Sequence, residues 1–155
     1  MENKLAERAQ PGRISLRSQA LVSISDNDAS LSVYHGDITQ ENFVRSVARI
    51  KVAFPDLNKE FYQLLKERIM EKGFSDQRLT DAVNHVIDTC LYPTPTLANF
   101  LSFDKRVKLI TYQELCTLIG KGEATMDAYE RMRINGKVFF VRKDEKRLYN
   151  LPNEL

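Results

Sequence analysis

Ser75-Asp-Gln-Arg-Leu-Thr-Asp-Ala-Val-Asn-His-Val-Ile-Asp-Thr-Cys90 is the stretch on which the fold class turns. Leu79, Ala82, Val83, Val86, Ile87 and Cys90 recur at the helical period, which gives an apolar stripe of the width a core-facing helix needs. Ser75 stands where an N-cap hydroxyl would accept from an orphan N–H of the first turn. The other side carries Asp76, Arg78, Asp81, Asn84, His85 and Asp88, and reads as solvated.

Working outward, three more helices can cover this stripe. Thr39 caps one with Phe43, Val47 and Ile50 on one face, and Phe54-Pro55 ends it because proline disfavours helical geometry in the residue before it. Asp56 or Asn58 caps the next, whose stripe is Leu57, Phe61, Leu64, Leu65 and Ile69. Gly73 closes it in the left-handed conformation of a C-terminal cap, with Phe74 free to fold back. Tyr92-Pro-Thr-Pro-Thr96 then opens a fourth, with Thr94 as cap, Pro95 at the first helical position and Leu97, Phe100 and Leu101 buried. A helical domain over residues 38–102 follows from these four stripes.

Residues 103–155 read as a second module. Thr111 and Glu114 form a capping box, Leu115, Leu118 and Ile119 give a short helix its apolar face, and Gly120 ends it. Tyr129-Glu-Arg-Met-Arg-Ile-Asn-Gly-Lys-Val-Phe-Phe-Val-Arg142 reads as two strands across Asn135-Gly136, a pair suited to the positive φ angles of a type I′ turn. The two-residue loop pairs Ile134 with Lys137, Arg133 with Val138, Met132 with Phe139 and Arg131 with Phe140. Alternation then sorts Met132, Ile134, Phe139 and Val141 to a face that should pack on the short helix. Tyr129, Arg131, Arg133, Val138, Phe140 and Arg142 fall on the other.

Residues 1–37 read as a flexible, disordered Ser-rich tail. Short alternating runs at 21–24 and 31–34 offer a hairpin as the alternative, although two strands alone are barely stable in water. The expected architecture is therefore mainly α: a small bundle of about four helices, then a short helix and a C-terminal β-hairpin.

Composition is that of a globular chain, with 155 residues, 43% apolar and 28% charged. Net charge is only +2, yet residues 131–147 hold seven basic side chains against Asp144 and Glu145. Such a patch attracts phosphate with a salt-dependent term, and Tyr or Phe can stack on exposed bases. Tyr129, Arg131, Arg133, Lys137, Phe140, Arg142 and Lys143 are the nucleic-acid-binding candidates. The bland counterpart is a solvated strand edge guarded by cations.

No catalytic residue stands out. The sequence holds no Gly-rich phosphate loop, nucleophile elbow or paired-histidine motif, and no cofactor or metal is expected. Cys90, Cys116, His35 and His85 lack zinc-ligand spacing. His85 between Asp81 and Asp88 reads as a surface ion pair, Glu67 and Glu71 as a solvated face. Both cysteines are expected to be reduced and buried, as in a cytoplasmic protein. No apolar run approaches the roughly 18 residues of a membrane span, and the first residues carry no signal-peptide pattern.

From Phe43 to Leu101 the chain resembles the small helical N-terminal domain of phage replicative-helicase loaders. The likeness lies in the order of Phe61-Tyr-Gln-Leu-Leu65, Arg78-Leu-Thr-Asp-Ala-Val-Asn-His-Val-Ile87 and Tyr92-Pro-Thr-Pro-Thr-Leu-Ala-Asn-Phe-Leu101. The segment from Tyr112 to Lys143 looks like the ends of uncharacterised phage and mobile-element proteins. Through Gly136-Lys-Val-Phe-Phe-Val-Arg-Lys143 it is distantly similar to excisionase-type winged modules, but it lacks a recognition helix between Gly120 and Tyr129. The resemblance implies a protein that binds a hexameric helicase and delivers it to a replication origin, the helicase generally being met by the flexible region after the helical domain. Together with the basic hairpin face, the expectation is a non-enzymatic adaptor in phage or mobile-element DNA replication, with a protein partner through the helical domain and DNA contact through the hairpin. The alternative is a protein–protein interaction module that meets no nucleic acid.

Overall fold

The computed structural model describes residues 22–25 and 28–155. In chain order these form β1 (Val22–Ser25), β2 (Asp28–Ser32), α1 (Gln40–Ala53), α2 (Lys59–Glu71), α3 (Asp76–Thr89), α4 (Leu97–Leu101), β3 (Arg106–Lys108), α5 (Tyr112–Gly120), a 3₁₀ turn (Met126–Ala128), β4 (Tyr129–Ile134), β5 (Lys137–Arg142) and α6 (Lys143–Leu148). The mainly helical fold with a C-terminal hairpin is thus the one the sequence predicts.

The caps explain most boundaries. Thr39, Asn58 and Ser75 each accept from a first-turn amide, those of Asn42, Phe61 and Arg78. Gly73, at φ +62°, lets its own amide reach Met70 O and the Phe74 amide reach Ile69 O, both at 3.2 Å. That paired closure satisfies two orphan carbonyls and turns Phe74 back into the core. Two boundaries differ from expectation. Thr96, not Thr94, caps α4, with Asn99 completing its box, so Pro95 precedes the helix and is buried. Gly120 is the last helical residue of α5, and Gly122 (φ +74°) supplies the left-handed turn.

α1 and α3 lie side by side and run in the same direction. Asp76 accepts from the Thr39 amide at 2.7 Å and its hydroxyl at 2.9 Å, and Asn42 reaches Thr80 at 3.2 Å. Around them Ile50, Leu65, Ile69, Phe74, Leu79, Ala82, Val83 and Phe100 form one buried cluster. Leu64, assigned to the apolar stripe of α2, points outward instead and is 45% exposed.

A second core lies beyond the helices. β1, β2 and β3 form an antiparallel sheet in that order, and Leu31, Val33, Val107, Leu109 and Leu151 pack with Met132, Ile134, Phe139 and Val141. Two expectations give way here. The tail does not run to Asp37: from residue 28 the chain is a strand, with Leu31 and Val33 in the core. The hairpin left as an alternative forms, but with its second strand at Asp28–Ser32 and not at 31–34; it is stable because β3 adds a third strand and the β4–β5 pair covers one face. Its register matches Val22 with Leu31 and Ser25 with Asp28. The part of the expected tail at residues 1–21 lies outside the described residues. The apolar face of β4–β5 accordingly packs on this sheet, not on α5.

Polar side chains join the two cores. Arg78, read as solvated, is 7% exposed. Its guanidinium carbon sits 4.1 Å from the Phe74 ring centroid, its Nε donates to Phe103 O at 2.9 Å, and Asp104 Oδ1 lies 3.9 Å away. Asp104 also accepts from Ser32 Oγ at 2.7 Å and pairs with Arg106 at 2.9 Å. Nearby, Asp81 accepts from Tyr34 Oη (2.8 Å), Lys105 Nζ (3.0 Å) and Gln77 Nε2 (2.8 Å).

Burial opposes the Asp81 charge, yet these three donors outweigh it and hold the carboxyl below its ordinary range. A depressed native pKa stabilises the fold above the unfolded value of about 4, and that stabilisation is lost as pH falls through the native value. Asp81→Asn should therefore lower stability by about 1–2 kcal/mol at pH 7 and flatten its decline between pH 5 and pH 2. Urea denaturation of both proteins across that range checks this; equal slopes would contradict it.

Candidate functional site

The hairpin has the predicted register, from Tyr129 opposite Arg142 to Ile134 opposite Lys137. Asn135 and Gly136 take φ +50° and +77°, the positive pair that a type I′ turn requires. Alternation then places Tyr129, Arg131, Arg133, Phe140 and Arg142 on the outer face. Arg131 is exposed, and its side chain makes no hydrogen bond or ion pair among the described residues. Phe140, directly opposite, is half-buried, with its ring 6.0 Å from that of Tyr112 on α5. Tyr129 is half-buried at the far end.

The remaining candidates are less free. Arg142 pairs with Asp144 at 3.1 Å, and Arg133 lies 4.0 Å from Glu154. Lys137 pairs with Ile134, so it belongs to the opposite side from Arg131. Lys143 opens α6. Lys146, counted in the basic run, is internal: 6% exposed, it donates to Glu130 at 2.6 Å and to Asn153. That bond, with weaker help from Lys143 and Arg147, holds the Glu130 carboxyl below its ordinary range.

The hairpin is also not a free-standing wing. Ile110 exchanges backbone hydrogen bonds with Phe140 at 2.8 and 3.0 Å along the β5 edge. Residues 153–155 line the β4 edge through Arg133 N to Asn153 O (2.9 Å), Asn135 N to Leu155 O (2.8 Å) and Leu155 N to Arg133 O (2.9 Å). Between α5 and β4 the described chain has only the short 3₁₀ turn.

Other singled-out residues also differ from expectation. His85 makes no ion pair with Asp81 or Asp88; its ring lies 5.0 Å from that of Phe103. Cys90 is half-buried and Cys116 is exposed, so the expected burial fails for Cys116. No metal-holding group of three His, Cys, Asp or Glu side chains occurs among the described residues. Among them, too, no helix is long and apolar enough to cross a membrane.

One surface escaped the sequence reading. Val44, Ala48 and Val52 recur every fourth residue of α1 and all face outward, Val44 at 56% and Val52 at 85% exposure. Beside them a shallow, open cleft of about 440 Å³ is lined by Arg45, Ala48, Arg49, Val52, Ala53 and Ile87. The spacing is visible in the sequence, but the same helix carries the more strongly apolar Phe43–Val47–Ile50 face.

Comparison with protein-family models, with curated proteins and with solved structures yields no match.

Lys146→Met keeps the buried stem and removes the ammonium. The Glu130 carboxyl should then titrate in the ordinary carboxylate range, not below it, as carbon-detected NMR would report. An unchanged Glu130 titration would show that Lys146 does not set its charge.

Proposed function

We propose that the protein is a non-enzymatic adaptor that engages a protein partner through the outer face of α1. The observation that carries this reading is the exposed stripe of Val44, Ala48 and Val52 beside its apolar cleft. Contiguous exposed apolar surface rimmed by polar residues is characteristic of protein-binding sites. The helicase-loader resemblance of residues 43–101 makes a hexameric replicative helicase the partner to try first, in a cytoplasmic phage or mobile-element replication setting.

A second contact, to DNA, is supported by one observation: unpaired Arg131 beside Phe140, with Arg133 and Arg142 exposed on the same face. Against it stand the local carboxylates Asp144 and Glu154 and the covered edges of the hairpin. An interaction module that meets only protein is the counterpart reading.

Two assays separate these readings. Sedimentation of the protein with a purified bacterial hexameric helicase should give a complex that Val52→Asp abolishes; absence of a complex would remove the helicase as partner. Anisotropy of labelled single- and double-stranded DNA should show salt-dependent binding. In an Arg131→Ala/Arg133→Ala/Arg142→Ala protein its log–log salt slope should fall by about two to three. No binding at low salt would leave the protein-only reading.

A further inference from the structure

We infer that the cleft between α1 and α3 receives an acidic amphipathic helix of the partner, an inference that rests on reading the outer face of α1 as a docking surface. The shape of the surface favours a helix. Val44, Ala48 and Val52 form a ridge along the fourth-residue row of α1, and such a ridge packs against the grooves of a second helix. The ridge is about 12 Å long at 1.5 Å per residue, so three turns of a partner cover it. Small Ala48 and Ala53 let a partner approach closely, while Val52 and Ile87 offer apolar walls. Both elements beside the cleft are helices, whose backbone groups are internally paired, so an extended strand would find no edge to join.

Charge selects the kind of helix. Arg45 and Arg49 border the cleft, and helical spacing puts Lys51 on the other side of the valine ridge. Of the exposed residues of α1, only Glu41 is acidic, and it is engaged by Arg45 at 2.8 Å. The Arg49 side chain makes no hydrogen bond or ion pair among the described residues. On α3, Asp88 follows Asp81 by seven residues and shares its side of the helix, and it is not among the residues that line the cleft. The cleft is therefore apolar with a cationic border, and carboxylates flanking an apolar stripe complement it. A second copy of the chain fits less well. In an antiparallel pairing about Ala48, Val44 would meet Val52 of the copy, but Arg45 and Arg49 would lie against Arg49 and Arg45 of the copy on the same flank, and like charges at such spacing oppose association.

The test uses a displayed library of 18-residue helices with a constant leucine stripe and a polar face varied among Glu, Gln and Lys, selected on the full chain. Glu-rich helices should be enriched. A synthetic member should bind at least tenfold more weakly to Val52→Asp. It should lose out to its Lys counterpart on Arg45→Glu/Arg49→Glu, with circular dichroism confirming that both variants fold. No enrichment, enrichment without charge bias, or affinity indifferent to Val52→Asp would overturn the inference. So would a concentration-dependent dimer that Val52→Asp dissociates. A helicase complex sensitive to Val52→Asp without enrichment of acidic helices would leave the adaptor reading standing and sink this one. Enrichment without a helicase complex would do the reverse for the helicase.

Discussion

The structure depends on one buried cation. Arg78 lies on the face of α3 that meets the sheet, and removing a guanidinium from water costs several kcal/mol unless its surroundings replace hydration. Phe103 O, the Phe74 ring and Asp104 supply part of that replacement, although burial still holds the guanidinium pKa below its ordinary value. Asp104 in turn engages Ser32 of β2 and Arg106 of β3. The charge that α3 buries is thus offset by a carboxylate that the strands hold in place, so separating the two cores breaks the pair. Asp81, with Tyr34 and Lys105, repeats the arrangement nearby.

This seam shows where the sequence was legible. Elements whose formation is decided within their own dozen residues were readable: the stripe and caps of α1 to α3, the capping box of Thr111 and Glu114, the Asn135-Gly136 turn and its register. Elements that exist only through distant partners were not. β3 is three residues long, too short to show a period, and it forms because β2 lies beside it. β2 looked like tail because its strength comes from Val107 and the Met132–Phe139 face. Arg78 looked solvated because a helical wheel assigns charge to water and cannot see Asp104. α6 had a local signal that went unused, with Asp144 and Glu145 in its first turn and Lys146 and Arg147 in its last, the distribution the helix dipole favours.

The candidate sites follow the same division. Counting charge along residues 131–147 gave a strong basic patch, but burial and local pairing spend much of it. Lys146 is an internal strut to Glu130 and Asn153, Arg142 has Asp144, and Arg133 has Glu154. Only Arg131 keeps an unshared charge beside an aromatic ring on the outer face. The valine ridge of α1 lost nothing on folding, because its neighbours turn their apolar side to the helical core and leave it outside. Joined through the seam, the two faces are held in one body, as an adaptor with two contacts would require.

The claim that a buried ion joins the two cores is tested most directly by hydrogen exchange on Asp104→Ala, following peptides from α3 and from β4–β5 separately. The account predicts that the variant loses roughly 2–4 kcal/mol of protection in the strands while α3 retains most of its own, because the sheet core opens independently once the seam is broken. Uniform loss across both cores, or no loss in either, would contradict it.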